Sequence, residues 1–299
     1  MFKKFLSLIA ALIVVISLAS CSNSSSTNDK KLKVAVSFNA MKELTYAIGK
    51  NKINIVTIIP NGTEPHDFDP KAKDIKTLYD SKIFIYSGLG METWVDKTLK
   101  SVNNKDLISV EASNGVKAIK NSDASEIAEH GKYDPHSWLS LNDAKIESKN
   151  IRDALTKADP TNKKFYYDNY NEFCKKVDSL NQEYVDKFRT VKNKDFVTGH
   201  AAFAYLCRDY NLNQKSVENV FADGEPSTKQ LADLTKYCKD NNVKTVFYED
   251  MVSPKVSSTL AKEVNAKTQK IYTIESAEDG KDYLASMKTD LDEIYTSLK

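Results

Sequence analysis

Charge of one sign is missing from this chain. Its 43 lysines and arginines face 41 aspartates and glutamates, and Lys3 and Lys4 near the N-terminus account for the whole excess. Such a balance offers nothing to a phosphate backbone or an anionic lipid surface, so no nucleic acid is expected as a partner. Cysteine is scarce: beyond Cys21 there are only Cys174, Cys207 and Cys238, with no C-x-x-C spacing. That argues against a thiolate copper or iron–sulfur site. Each of the three lies in an apolar helical pattern, such as Phe203/Leu206/Cys207/Tyr210, and reads as a small buried hydrophobe. A Cys207–Cys238 disulfide would leave Cys174 odd and is not expected. Past residue 20 no stretch is long and apolar enough to span a bilayer. An H-E-x-x-H helix, the mark of one class of zinc hydrolase, is also lacking. Only four histidines exist in 299 residues.

The N-terminus supplies what the body lacks. Lys3 and Lys4 precede an apolar run, Phe5 to Leu18, too short for a comfortable span and closed by Leu18-Ala19-Ser20-Cys21. A small-residue cleavage site followed at once by cysteine resembles a bacterial lipobox. Residues 1–20 then read as a signal peptide, with Cys21 lipidated as the mature N-terminus. Acyl chains on one residue anchor a protein without a transmembrane helix. Residues 21–30, with the polar run SNSSSTND, read as a flexible stalk. The expected location is the outer face of the cytoplasmic membrane.

The remaining length suffices for two cores. Short β-branched runs at residues 32–38, 53–59 and 83–87 alternate with helical patterns at 71–79 and 142–157. The second half repeats the plan, with strands expected at 195–198, 216–221, 243–248 and 270–274. Helices are expected there at 202–210, 228–241, 254–265 and 281–298. Alternating strands and helices predict an α/β fold of two lobes, each with a mainly parallel sheet. Between them, Asp159-Pro160-Thr161 reads as a helix start. Tyr166, Tyr170, Phe173, Val177, Leu180, Tyr184 and Phe188 then recur at steps of three or four, without Gly or Pro, to about Thr190. That predicts one stiff helix of roughly 40 Å or more. The expected division is 31–158 for the N-terminal lobe, 159–190 for the linking helix and 191–299 for the C-terminal lobe. Residues 110–133 show little periodicity and read as a loop.

Three histidines occupy comparable places. His66 lies in NGTEPHDFDP beyond the strand at 53–59, His200 in VTGH beyond the strand from 195, and His136 in YDPHSW where the loop meets the next ordered element. Ligands of open α/β sheets bind outside the carboxyl ends of strands, so these histidines point to a crevice between the lobes. Glu275 ends the last expected strand. Three imidazoles and a carboxylate suit four-coordinate Zn2+, whereas Mn2+ prefers carboxylates and water. Each histidine alone is more ordinary than this; jointly they favour a metal site. Glu64 and Asp67 flank His66 and either orient it or serve as capping and solvated acids. Glu249 is a candidate support from the second lobe. Trp94 and Trp138 read as core plugs at the lobe interface.

These same residues carry a family resemblance. Asn61-Gly-x-Glu-Pro-His-x-Phe-x-Pro70, Asp134-Pro-His-Ser-Trp138 and Thr198-Gly-His-Ala-Ala-Phe203 resemble the metal loops of the zinc and manganese solute-binding lipoproteins of bacterial ABC importers (cluster A-I type). Ser87-Gly-Leu-Gly-Met-Glu-Thr-Trp94, Gly224-Glu-Pro-Ser227 and Phe247-Tyr-Glu249 with Ser253-Pro-Lys255 follow in the family's order over nearly the whole mature chain. The resemblance implies two lobes bridged by a rigid helix, with the metal at their interface. It also implies delivery to an ABC permease powered by a cytoplasmic ATPase. Carried over, the ligands are His66, His136 and His200, with Glu275 or a water at the fourth place, where the family most often has Asp. Manganese members typically have an acid at the third place, so His200 points to the zinc branch, with a manganese or iron member as the alternative. A histidine-rich loop of zinc members is reduced here to His130 beside Asp123, Glu126 and Glu129. The expected function is non-enzymatic capture by a monomer, with release by movement of loops 61–70, 110–136 and 275–280. The competing class is a three-histidine zinc hydrolase with an open fourth position; an adhesin role has no sequence pattern of its own.

Overall fold

The computed structural model describes residues 31–121, 127–128, 131–222, 226–249 and 254–299. The signal peptide, Cys21, the stalk, and Asp123, Glu126, Glu129 and His130 lie outside the described residues. Residues Leu32–Lys299 form a unit of their own. No helix among the described residues is long and apolar enough to cross a membrane.

Two four-stranded parallel sheets organise this unit. In the first, β1 (Leu32–Val36), β2 (Ile53–Thr57), β3 (Ile83–Tyr86) and β4 (Ile108–Glu111) run in the order β2-β1-β3-β4. In the second, β5 (Asp195–Thr198), β6 (Asn213–Ser216), β7 (Thr245–Tyr248) and β8 (Lys267–Lys270) run β6-β5-β7-β8. The order is the same in both, so each lobe has its first strand inside the sheet and its crossovers return helices to the faces. Helices α1 (Asn39–Gly49), α2 (Ala72–Tyr79), α3 (Val95–Val102) and α4 (Leu141–Ala158) belong with the first sheet. After α5 (Lys163–Thr190) come α6 (Ala204–Tyr210), α7 (Thr228–Asp240), α8 (Pro254–Glu263) and α9 (Tyr283–Ser297).

Several differences from the periodicity reading have one cause. Strand β6 (NQKS) and β8 (KTQK) are polar edge strands, so neither carries an apolar run. The runs taken for strands, 216–221 and 270–274, are instead loops beginning at or beyond the strand ends. Their Val217, Phe221, Ile271 and Ile274 are buried nonetheless. β4 is only four residues long, whereas α1 (Ala40, Met41, Leu44, Ile48) and α3 (Val95, Val102) carry buried apolar stripes that the periodicity reading left unassigned. Glu275 is therefore on a loop after β8, not at a strand end.

The linking helix α5 has 28 residues and is preceded by a 3-10 turn, Pro160–Asn162. Asp159 caps that turn by accepting from the Asn162 N–H. Tyr166, Phe173, Val177, Tyr184 and Phe188 are buried, while Lys164–Asp168, Lys176–Glu172 and Lys187–Glu183 pair along its other faces at i,i+4 spacing. Such pairs add only a few tenths of a kcal/mol each; the buried face does most of the holding. One apolar core runs from the first sheet (Val34, Phe84, Ile85) through α5 to Phe196 and Phe247 of the second. Their neighbours Val197 and Val246 face the other way into a smaller cluster under α7 and α8, the alternation of a strand buried on both faces. Cys207 and Cys238 are buried and, with Cys174, free; burial pushes the Cys207 and Cys238 thiols up, to about 11 for Cys238.

Candidate metal centre

Each of the three histidines directly follows a residue with special backbone properties, proline twice and glycine once. His66 and His136 follow Pro65 and Pro135, and in both cases the acid two residues before the histidine accepts its backbone N–H: Glu64 Oε1 at 3.2 Å and Asp134 Oδ1 at 2.9 Å. His200 leaves β5 through Gly199. A Cβ built on Gly199 would meet Glu249 Oε2 at 2.0 Å, so only glycine allows the Glu249 carboxyl to lie this close. Glu275 follows Ile274, whose φ of 61° is a left-handed conformation rare for a β-branched residue.

The four side chains converge. His66, His136, His200 and Glu275 each offer one donor atom, and these atoms all lie within 4.8 Å of one another. The Nε2 atoms of His66 and His200 lie 3.3 and 3.4 Å from His136 Nε2. Glu275 Oε1 lies 3.4 Å from His136 Nε2 and 3.9 Å from His66 Nε2. A tetrahedron with zinc-like bonds of about 2.05 Å has edges of about 3.3 Å. Three of the donor separations match that edge, a fourth is 3.9 Å and none exceeds 4.8 Å, and all four residues are at most 4% exposed.

What surrounds the shell sets its protonation. Asp134 Oδ1 also lies 2.9 Å from His136 Nδ1, the carboxylate–histidine arrangement that turns Nε2 toward a metal. Burial pulls the His136 pKa down, but Asp134 and Glu275 outweigh it and push it up to about 9. Burial likewise works against the Glu275 carboxylate, yet the three imidazoles hold it well below the ordinary range. Burial drops His200 to about 4, so it is neutral already. Glu64 is pushed up to about 8 by burial and by the nearby Glu275 charge.

The flanking residues differ in what they touch. Glu249, fully buried, accepts the His200 backbone N–H at 3.4 Å, with Oε1 3.9 Å from His200 Nδ1; burial pushes its carboxyl well above the carboxylate range. Asp67 is exposed and acts only as a like charge beside Glu64. Trp138 sits at the lobe interface, against His136 and Phe38, and donates Nε1–H to the Thr273 carbonyl at 2.7 Å. Trp94 lies instead within the first lobe, against Phe68 and Phe84, where it backs the His66 loop. Sequence reasoning missed Asp134, although the shared acid-Pro-His pattern of Glu64-Pro65-His66 and Asp134-Pro135-His136 was a signal for it. It also missed Phe221, whose ring packs edge-on against His66 at 5.2 Å between centroids.

The chain is 36% identical to the high-affinity zinc uptake system protein ZnuA of Bacillus subtilis, over all of this chain and 99% of that one. It is 33% identical to the zinc-binding lipoprotein AdcA of Streptococcus pneumoniae over 96% of this chain, which spans 60% of that longer protein. The solved laminin-binding protein Lmb of Streptococcus agalactiae, a protein with adhesin and metal transporting activity, superposes with a TM-score of 0.82 at 31% identity, covering 90% of this chain and all of that one. The profile of zinc-uptake complex component A, periplasmic, matches residues 34–297, and with the fold and the buried three-histidine cluster this chain belongs to the ZnuA family.

Proposed function

We propose that this chain is the extracytoplasmic solute-binding component of a zinc importer. In this reading it captures Zn2+ between its lobes with His66, His136, His200 and Glu275 and hands it to an ABC permease driven by a cytoplasmic ATPase. The observation that carries the reading is the convergence of four buried donors from both halves of the chain, all within 4.8 Å of one another. Three imidazoles favour Zn2+ over Mn2+, which prefers an oxygen-rich shell. A carboxylate in the fourth position supports capture over hydrolysis, since a catalytic zinc site keeps that position for water. Lipidation at Cys21, a monomeric state and a place on the outer face of the membrane complete the proposal. Working boundaries are 31–158 and 191–299 for the lobes and 159–190 for the bridge. Release proceeds by displacement of the loops at 61–70 and 275–280 while the shared core stays intact.

Chelator competition on the purified chain tests the assignment. His66→Ala, His136→Ala and His200→Ala are each expected to weaken zinc binding more than about 100-fold, beyond the range for outer-shell changes. Retention of tight zinc binding by any of the three would overturn the ligand set. Preferential Mn2+ retention by the unaltered chain would overturn the choice of metal, and turnover of an ester lost in His200→Ala would favour the hydrolase.

A further inference from the structure

Glu275 comes from the C-terminal half, yet its backbone is held by the N-terminal half. Asn39, at the exit of β1 and the first residue of α1, is 3% exposed. Its side-chain amide donates to the carbonyls of Ile274 at 3.4 Å and Ser276 at 3.0 Å. Its backbone N–H donates to the carbonyl of Glu275 itself at 3.3 Å. One residue thus grips three consecutive carbonyls centred on the proposed fourth ligand. Two carbonyl acceptors also decide which end of the amide is NH2, because only that end can donate to both.

Other bonds hold neighbouring residues of the loop but not Glu275. Trp138 Nε1–H reaches the Thr273 carbonyl, Gly62 N–H reaches Ser276 Oγ at 2.9 Å, and Ala277 N–H reaches Asn61 Oδ1 at 3.1 Å. The carboxylate is set by Thr273 Oγ1–H, which donates to Oε2 at 2.8 Å while Oε1 faces His136. Between these supports stands Ile274 with its φ of 61°. Such a backbone persists only where surroundings over-determine it, and Asn39 binds the carbonyl on that residue.

We propose that Asn39 is the positioning residue of the fourth metal ligand: by clamping the Ile274–Ser276 backbone from the opposite lobe, it holds the Glu275 carboxylate against the three histidines. This rests on the zinc-site reading above. Asn39 touches no metal and acts through Glu275, so its effect must vanish when that carboxylate is removed.

A double-mutant cycle on the purified chain tests this, reading Zn2+ affinity by chelator competition and coordination by the d–d absorption of the Co2+-loaded form. Asn39→Ala is expected to weaken zinc binding about tenfold, the size of a buried hydrogen-bond loss. In a Glu275→Ala background the same change should alter affinity less than about twofold. The Co2+ bands of Asn39→Ala should move to those of Glu275→Ala, which a general loss of stability would not produce. Asn39→Ser, too short to reach both carbonyls, should show the same pattern and decides the matter if the alanine variant does not fold. Equal losses in both backgrounds, no loss at all, or weakened zinc binding with unchanged Co2+ bands would overturn the role of Asn39 alone. If Glu275→Ala leaves both affinity and Co2+ bands unchanged, the fourth-ligand assignment falls and the role of Asn39 with it.

Discussion

At the scale of single residues, the metal-free site is an ion pair waiting to be broken. His136, pushed up to about 9 by Asp134 and Glu275 against the pull of burial, carries a proton at neutral pH. A ligating imidazole must be neutral, so zinc has to displace that proton. The sign follows: zinc affinity rises with pH, approaching tenfold per unit below about pH 9, and levels off above it. Calorimetry in buffers of different ionisation enthalpy should register release of about one proton per zinc at pH 7. Release near zero would contradict the pairing. Asp134→Asn removes the negative charge 2.9 Å from His136 Nδ1 while keeping an acceptor oxygen there; it should reduce proton release at pH 7 while weakening zinc binding about 10–100-fold.

At the scale of elements, helix α4 carries an acid that its surroundings do not neutralise. Glu147 is completely buried, accepts Ser137 Oγ–H at 2.6 Å, and is pushed up to about 8 by burial, with Asp143 and Glu92 adding like charge. A carboxyl whose folded pKa lies above its unfolded one near 4.5 stabilises the fold below the unfolded value. That stabilisation is lost as pH rises through the folded value. Glu147 should therefore take on the order of a few kcal/mol from the stability of the chain between about pH 4.5 and pH 8. Glu147→Gln keeps the shape and cannot ionise, so it should flatten part of this decline in urea midpoints measured across that range. An unchanged slope would mean that Glu147 is ionised in the fold as it is in the unfolded chain. The consequence reaches the site, because Ser137 adjoins His136.

At the scale of the whole molecule, the two sheets share one large core, the second sheet adding a smaller cluster on its other face. Val34 and Phe84 of the first sheet and Phe196 and Phe247 of the second belong to one cluster, threaded by Tyr166, Phe173, Val177, Tyr184 and Phe188 of α5. Opening the lobes like a clamshell would expose part of that cluster to water at about 25 cal/mol per Å2. Local movement of ligand loops avoids this penalty. Urea unfolding of the metal-free chain should accordingly be a single transition, coincident by fluorescence and circular dichroism. Saturating zinc should shift it upward, by about 2.7 kcal/mol at a hundredfold excess over Kd. Two separated transitions, or a solution-scattering radius of gyration that contracts markedly on zinc loading, would show that the lobes move independently.

Much of this arrangement was legible in the residues alone, for physical reasons that differ from place to place. Alternating apolar runs and helical stripes predict two parallel α/β halves, because periods of 2 and 3.6 answer to one buried face. The stripe from Tyr166 to Phe188 predicts α5 since nothing in it breaks a helix. His66, His136 and His200 stand out because histidine is rare here and each follows Pro or Gly. The polar edge strands β6 and β8 left no such mark, because an edge strand is held by backbone bonds that no side chain reports. The acid-Pro-His pattern shared by Glu64 and Asp134 marks both as acceptors of a histidine backbone N–H, but only the packed loops bring the Asp134 carboxylate against the His136 ring as well. Local pattern thus sets which elements form and which residue types could bind a metal. Whether Glu275 faces the histidines is decided by Asn39, more than two hundred residues away, because a ligand's direction depends on contacts that exist only once the lobes are packed together.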